Sequence, residues 1–208
     1  MSLELWIAFT LASAALLAVP GPTVLLVVSY ALGRGRASAL ATVPGVALGD
    51  FTAMTVSLAG AGAVLAASTT LFTVLKLAGA AYLVWLGIQL WRAGASLDAM
   101  TAPRARADRP RMFWNAYVVT ALNPKSVVFF IAFVPQFVDP AAPLLAQFAI
   151  LEATFVLLAA VNAAIWALLA GKMRARLQAP WALRLVHRVG GSFLIGAGLL
   201  TALTRRTA

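Results

Sequence analysis

The chain has no cysteine and one histidine, His187. The first absence excludes disulfide scaffolds, thiol redox chemistry and thiolate metal sites. The second leaves too few imidazoles for a His-based metal centre. Acidic residues are almost as scarce, six in 208, and charged residues of both signs make up 11%, where a soluble domain carries about 25%. Soluble-enzyme signatures are missing too: there is no P-loop, no dinucleotide fingerprint, no H-E-x-x-H, and no G-x-S-x-G to accompany His187. The sequence reads as neither an enzyme nor a cofactor binder.

What is abundant is apolar. Hydrophobic residues make up 62% and mean hydropathy is +0.93. Sixteen Lys and Arg give a formal charge of +10, which in a soluble protein would suggest nucleic acid. Here the basic residues fall between long apolar runs, so they read as membrane-orienting loops and the partner they imply is the lipid bilayer. Six runs approach the ~20 residues a transmembrane helix needs, near 5–32, 39–66, 70–91, 113–137, 144–171 and 182–203. The first carries Glu4 and no basic residue at its amino end, unlike a cleaved signal, and is expected to remain as a span.

Charge predicts orientation. Arg34 and Arg36 follow the first run, and Arg92, Arg104, Arg106, Arg109 and Arg111 the third. Lys172, Arg174, Arg176, Arg184 and Arg188 surround the junction of the fifth and sixth. Only Arg205 and Arg206 oppose these twelve, so both termini are expected outside, with an Arg-rich cytoplasmic loop at 93–112. The expected fold is all-α and polytopic, a single membrane domain.

Three spans per half oblige related halves to cross in opposite directions, and matching residues suggest such an inverted repeat of 1–92 and 113–208. Pro20-Gly21-Pro22 interrupts the first span and Asn123-Pro124-Lys125 the fourth. Pro20 to Pro124 is 104 residues, Asp50 to Glu152 is 102 and Lys76 to Arg188 is 112. Matched interruptions in corresponding spans point to a transporter's binding site.

Each break releases backbone groups that hydrocarbon cannot satisfy. Asn123 and Pro124 suit the N-cap and first position of a half-helix, whose free N–H groups favour a carboxylate or phosphate. Gly21 is expected to let the chain turn between its two prolines. A plain kink repaired by neighbouring helices is the competing reading. Asp50, eleven residues on from 39, is a candidate to exchange protons or receive an ammonium group, or else a buried partner of Lys76 or Lys125. Glu152 is shallower, so ion coupling competes with snorkelling; for Lys76, two turns below the outer end of the third span, snorkelling competes with any functional role. Lys125 is placed to pair with Asp50 or Glu152, or to hold a substrate carboxylate. His187 and Arg188 read as interface anchors, and Trp6, Trp91, Trp114 and Trp181 as an aromatic belt.

These residues resemble the LysE/RhtB superfamily of small-molecule exporters. The similarity lies in the Pro20-Gly21-Pro22 break, in Lys76, Gly79, Ala80, Tyr82, Leu83 and Gly87 of the third span, and in Asn123-Pro124-Lys125, Phe129-Phe130 and Pro135-Gln136-Phe137 of the fourth. It extends over nearly the whole chain. The resemblance implies export of an amino acid or related metabolite across a bacterial inner membrane. It also places an acidic residue deeper in the fifth span, where this chain has Ala159, Ala160 and Asn162. The reading is a secondary transporter exchanging its solute for protons, the substrate site comprising Pro20, Gly21, Pro22, Asp50, Asn123, Pro124 and Lys125, with Asp50 and Glu152 coupling the ion. Export of a metal cation, or a structural assembly subunit, are the alternatives. A chain of this size is also a candidate homodimer.

Overall fold

The computed structural model describes residues 1–92, 108–139, 142–177 and 180–203. Among them regular structure is helical only. Eight helices run in order: α1 (Leu3–Ala18), α2 (Pro22–Arg34), α3 (Ala39–Ala67), α4 (Thr69–Arg92), α5 (Arg109–Ala121), α6 (Pro124–Ala132), α7 (Leu144–Leu177) and α8 (Pro180–Leu203). A 3₁₀ turn, Val134–Phe137, closes α6. Most of the loop expected at 93–112 lies outside the described residues, as do Arg205 and Arg206.

Six apolar runs thus become four unbroken helices and two bent pairs. α3 and α7 are long and apolar enough to cross a membrane singly, over Arg36–Gly60 and Leu144–Ala170. The pairs α1–α2 and α5–α6 qualify as broken crossings, bent by 54° and 43°. α4 and α8 contribute the apolar stretches Thr73–Gln89 and Arg188–Leu203. Two boundaries differ from the sequence expectation. α5 begins at Arg109 rather than 113, because Asp108 caps it by accepting the Arg111 N–H at 3.3 Å and Pro110 fits its first turn. α7 continues to Leu177, since nothing between Lys172 and Leu177 breaks a helix.

The surface inverts that of a soluble protein. Leu11, Phe51, Val56, Leu145, Leu157 and Leu203 are all largely exposed. Burial of apolar surface does not drive helices together in lipid, so close packing must. Glycine provides it: a Cβ on Gly45 would sit 2.5 Å from the Phe113 carbonyl and one on Gly49 2.8 Å from that of Tyr117, which joins α3 to α5. Gly87 and Gly191 would each meet the other's carbonyl at 2.6 Å, and Gly198 that of Ala80, so α4 and α8 lie antiparallel in backbone contact. Both joints link an element before the Arg-rich segment to one after it.

Candidate functional site

Proline forces the preceding residue out of the helical region, and each break follows from that rule. Val19 before Pro20 and Gly21 before Pro22 are both extended. Asn123 before Pro124 is extended as well. Gly21 has φ −125° and ψ −170°, which any residue adopts, so it does not supply the conformational freedom expected of it. Nor is space what requires it, since a Cβ there would stand in ordinary contact, 3.4 Å from Lys125 Nζ. Pro22 and Pro124 both open a half-helix. They are 102 residues apart, the separation of Asp50 and Glu152. Pro22 thus holds in its helix the position that Pro124 holds in α6.

The two breaks meet and exchange partners. Lys125, in the first turn of α6, donates through Nζ to the carbonyls of Leu16 at 3.1 Å and Val19 at 2.9 Å. Asn162 of α7 donates to the Leu17 carbonyl at 3.2 Å. The carbonyls freed where α1 ends are thus taken up by side chains from the other half of the chain. In return Thr23, in the first turn of α2, accepts from Thr120 at 3.2 Å and Asn123 at 3.4 Å, at the end of α5. Asn123 also caps its own helix, accepting the Lys125 N–H at 3.1 Å. Gly21 offers α2 no side-chain cap.

A small cavity of about 20 Å³ lies at this meeting point, with Gly21, Thr23, Asp50, Asn123, Lys125 and Asn162 among its lining. That is room for about one ordered water. Asp50 is 2% exposed, and one of its carboxylate oxygens has no hydrogen-bond partner among the described residues. It interacts electrostatically with Lys125, whose ammonium bonds to carbonyls instead. A buried carboxylate oxygen left unpaired is costly, and the arrangement suits a ligand that brings a donor.

Along α6 and the turn that closes it, Phe129, Phe130, Phe133 and Phe137 pack with Phe9 of α1 and Phe155 of α7, at centroid distances from 4.8 to 6.2 Å. Along α2, Asn115 donates to the Tyr30 hydroxyl at 2.6 Å.

Of the residues singled out from sequence, Gly21, Asp50, Asn123 and Lys125 converge on the cavity, while Pro20, Pro22 and Pro124 shape the breaks without lining it. Glu152 is half-buried outside it, accepting from the Thr55 hydroxyl at 2.5 Å. The side chains of His187 and Trp181 lie outside the described residues. Arg188 lies over the Trp91 ring at 5.7 Å, and Trp6 donates to Thr154 at 3.1 Å. Sequence reasoning missed Thr23 and the donor role of Asn162. The freed carbonyls of α1 were the available signal, since few donors occur in mid-span.

The family model of the LysE type translocator matches residues 14–205. The chain is 35% identical to a homoserine/homoserine lactone efflux protein of Salmonella typhimurium over 99% of each chain. It is 32% identical to an uncharacterized membrane protein of Vibrio cholerae over 97% of this chain and 98% of that one. A leucine efflux protein of Salmonella choleraesuis is 30% identical over 60% of this chain and 59% of its own. No solved structure matches.

Proposed function

The chain belongs to the LysE type translocator family, a transporter of the membrane and not an enzyme, and on that premise we propose that it exports an amino acid or closely related metabolite from a bacterial cytoplasm in exchange for protons. The observation that carries this reading is the cavity between two broken helices with one unpaired carboxylate oxygen in its wall. Full-length similarity to a homoserine/homoserine lactone efflux protein supports the choice of solute class.

Both ends of an amino acid find complementary groups. Asp50 receives its ammonium. The uncapped first turn of α2, with Thr23 and Val24 on the cavity wall, receives its carboxylate. Pro20, Gly21, Pro22, Asn123, Pro124 and Lys125 hold these groups in place. The α6 start is the weaker anion site, because Asn123 already occupies one of its N–H groups. Asp50 carries the exchanged proton, and Glu152 serves the same path at a shallower level. The cavity as it stands is too small for an amino acid, so the two sets of three spans must move relative to each other in alternating access.

The proposed topology is a six-span inverted repeat in the inner membrane, with both termini outside and the Arg-rich segment in the cytoplasm. A periplasm-specific reporter fused after Ala208 should be active, and one inserted within 95–108 silent; the reverse overturns the orientation. The test of function is uptake of a panel of labelled amino acids by everted vesicles. Gradient-dependent accumulation of at least one is the expected result. Accumulation of none, by protein shown to be inserted, sinks the reading.

A further inference from the structure

The C-terminal end of α1 presents three carbonyls, of Leu16, Leu17 and Val19, that accept from donors of the other half; that of Leu16 also takes the Val19 N–H at 3.3 Å, while the Pro20-Gly21-Pro22 break denies all three a regular helical partner. A helix C-terminus carries partial negative charge, and carbonyls at such breaks are good ligands for small cations. Two of them are spanned by one positively charged nitrogen, the Nζ of Lys125, which is buried. The unpaired oxygen of Asp50 belongs to the same cavity and adds negative charge to it. Lys125 gives its hydrogen bonds to these carbonyls and interacts with Asp50 through charge alone. Its ammonium occupies the place of a free ion.

We infer that the end of α1 is a monovalent-cation site for which Lys125 supplies a permanently tethered cation. The protein therefore needs no free sodium or potassium, and removing the side chain creates a vacant site for a small ammonium ion. Lys125→Ala deletes Cγ, Cδ, Cε and Nζ, the atoms of n-propylammonium, so that ion fills both the space and the carbonyl contacts. This goes beyond the export reading and is measured without it, through binding.

The experiment compares thermal midpoints in detergent for the parent and Lys125→Ala, in choline buffer with added propylammonium, sodium or propan-1-ol. For the variant, propylammonium at ten times its dissociation constant should raise the midpoint by about 3–6 °C, and the neutral alcohol should not. The parent should respond to none of the three. Everted-vesicle export by the parent should be equal in sodium, potassium and choline, and export by the variant should recover several-fold with propylammonium. A variant that ignores the amine, or answers equally to the alcohol, overturns the inference. So does a variant that cannot be recovered folded with the amine present throughout purification. A parent that requires sodium or potassium overturns it without recourse to any variant. Absence of export by the parent in every buffer would instead count against the proposed function, leaving the amine-dependent midpoint to stand or fall separately.

Discussion

The two breaks use the same device and finish it differently. At Pro20-Gly21-Pro22 three residues separate the half-helices, α2 starts without a cap, and the carbonyls of α1 depend on Lys125 and Asn162 for donors. At Asn123-Pro124 only two residues intervene. There the Leu122 N–H still bonds to Val118 at 3.0 Å, and Asn123 caps the next helix. The second break is nearly self-sufficient, whereas the first holds open groups that a ligand or a partner helix must satisfy. Similar breaks therefore do not imply equal work: at the first, backbone carbonyls are met by side chains from the other half, and at the second, side chains are met by Thr23. Asp50 and Glu152 repeat the contrast, one buried with an unpaired oxygen and the other half-buried and bonded to Thr55.

The sharpest way to break this comparison is Asp50→Asn. Losing the charge should lower gradient-driven vesicle uptake at least about tenfold, as expected for a charged hydrogen bond of about 1.5–3 kcal/mol, while insertion remains normal. Parental uptake would make Asp50 structural. The prolines come next. Pro124→Ala removes the sole proline at its break, so α5 and α6 should join, with an unchanged or higher thermal midpoint and export reduced severalfold. Pro22→Ala alone leaves Pro20 to hold Val19 out of the helix, so the double change Pro20→Ala with Pro22→Ala should be required for a comparable loss. Equal effects from the two single changes would remove the asymmetry.

Capping gives a smaller and opposite pair. Gly21→Ser supplies the missing cap of α2, so the midpoint should rise slightly, by a few tenths of a kcal/mol, while apparent affinity weakens because the N–H groups are taken. Asn123→Ala removes the cap of α6, costing about 1 kcal/mol, or about 2–4 °C in a chain of this size. Stronger binding in Gly21→Ser would move the carboxylate site away from α2. The smallest effect belongs to Glu152→Gln, which keeps the Thr55 contact but removes the shallower proton carrier, and at about the 0–1 kcal/mol of a weakly held charge it should lower uptake by less than about fivefold. A loss as large as that of Asp50→Asn would make the two carboxylates equal partners.

Much of this was legible in the order of residues. Proline placed both breaks, Asn123 before Pro124 announced the cap, and an isolated Asp50 in an apolar run marked the cavity wall. Local rules act through neighbours in sequence, which is why they succeeded there. The hydrogen bonds of Lys125 were not legible: a cation in mid-span pointed to carboxylates, and Asp50 does act on it electrostatically, but the acceptors it bonds are the carbonyls of Leu16 and Val19, over a hundred residues away. Asn162 to Leu17 and Asn115 to Tyr30 were hidden for the same reason. They exist only because the halves interleave, with α3 seated on α5 and α4 on α8, and a linear pattern does not encode that docking.

The six phenylalanine rings along and beyond α6 bear on leakage. A carrier that builds a concentration difference loses it through whatever path stays open between turnovers. Three ring pairs join α6 and its closing turn to α1 and α7, each worth about 0.5–1.5 kcal/mol beyond its burial, and they oppose spontaneous parting. The rings offer no polar group to pass a proton from one to the next. If the proposed exchange holds, replacing Phe129 or Phe155 by a smaller residue should show itself first as a gradient that decays faster, before any change in how quickly it is built.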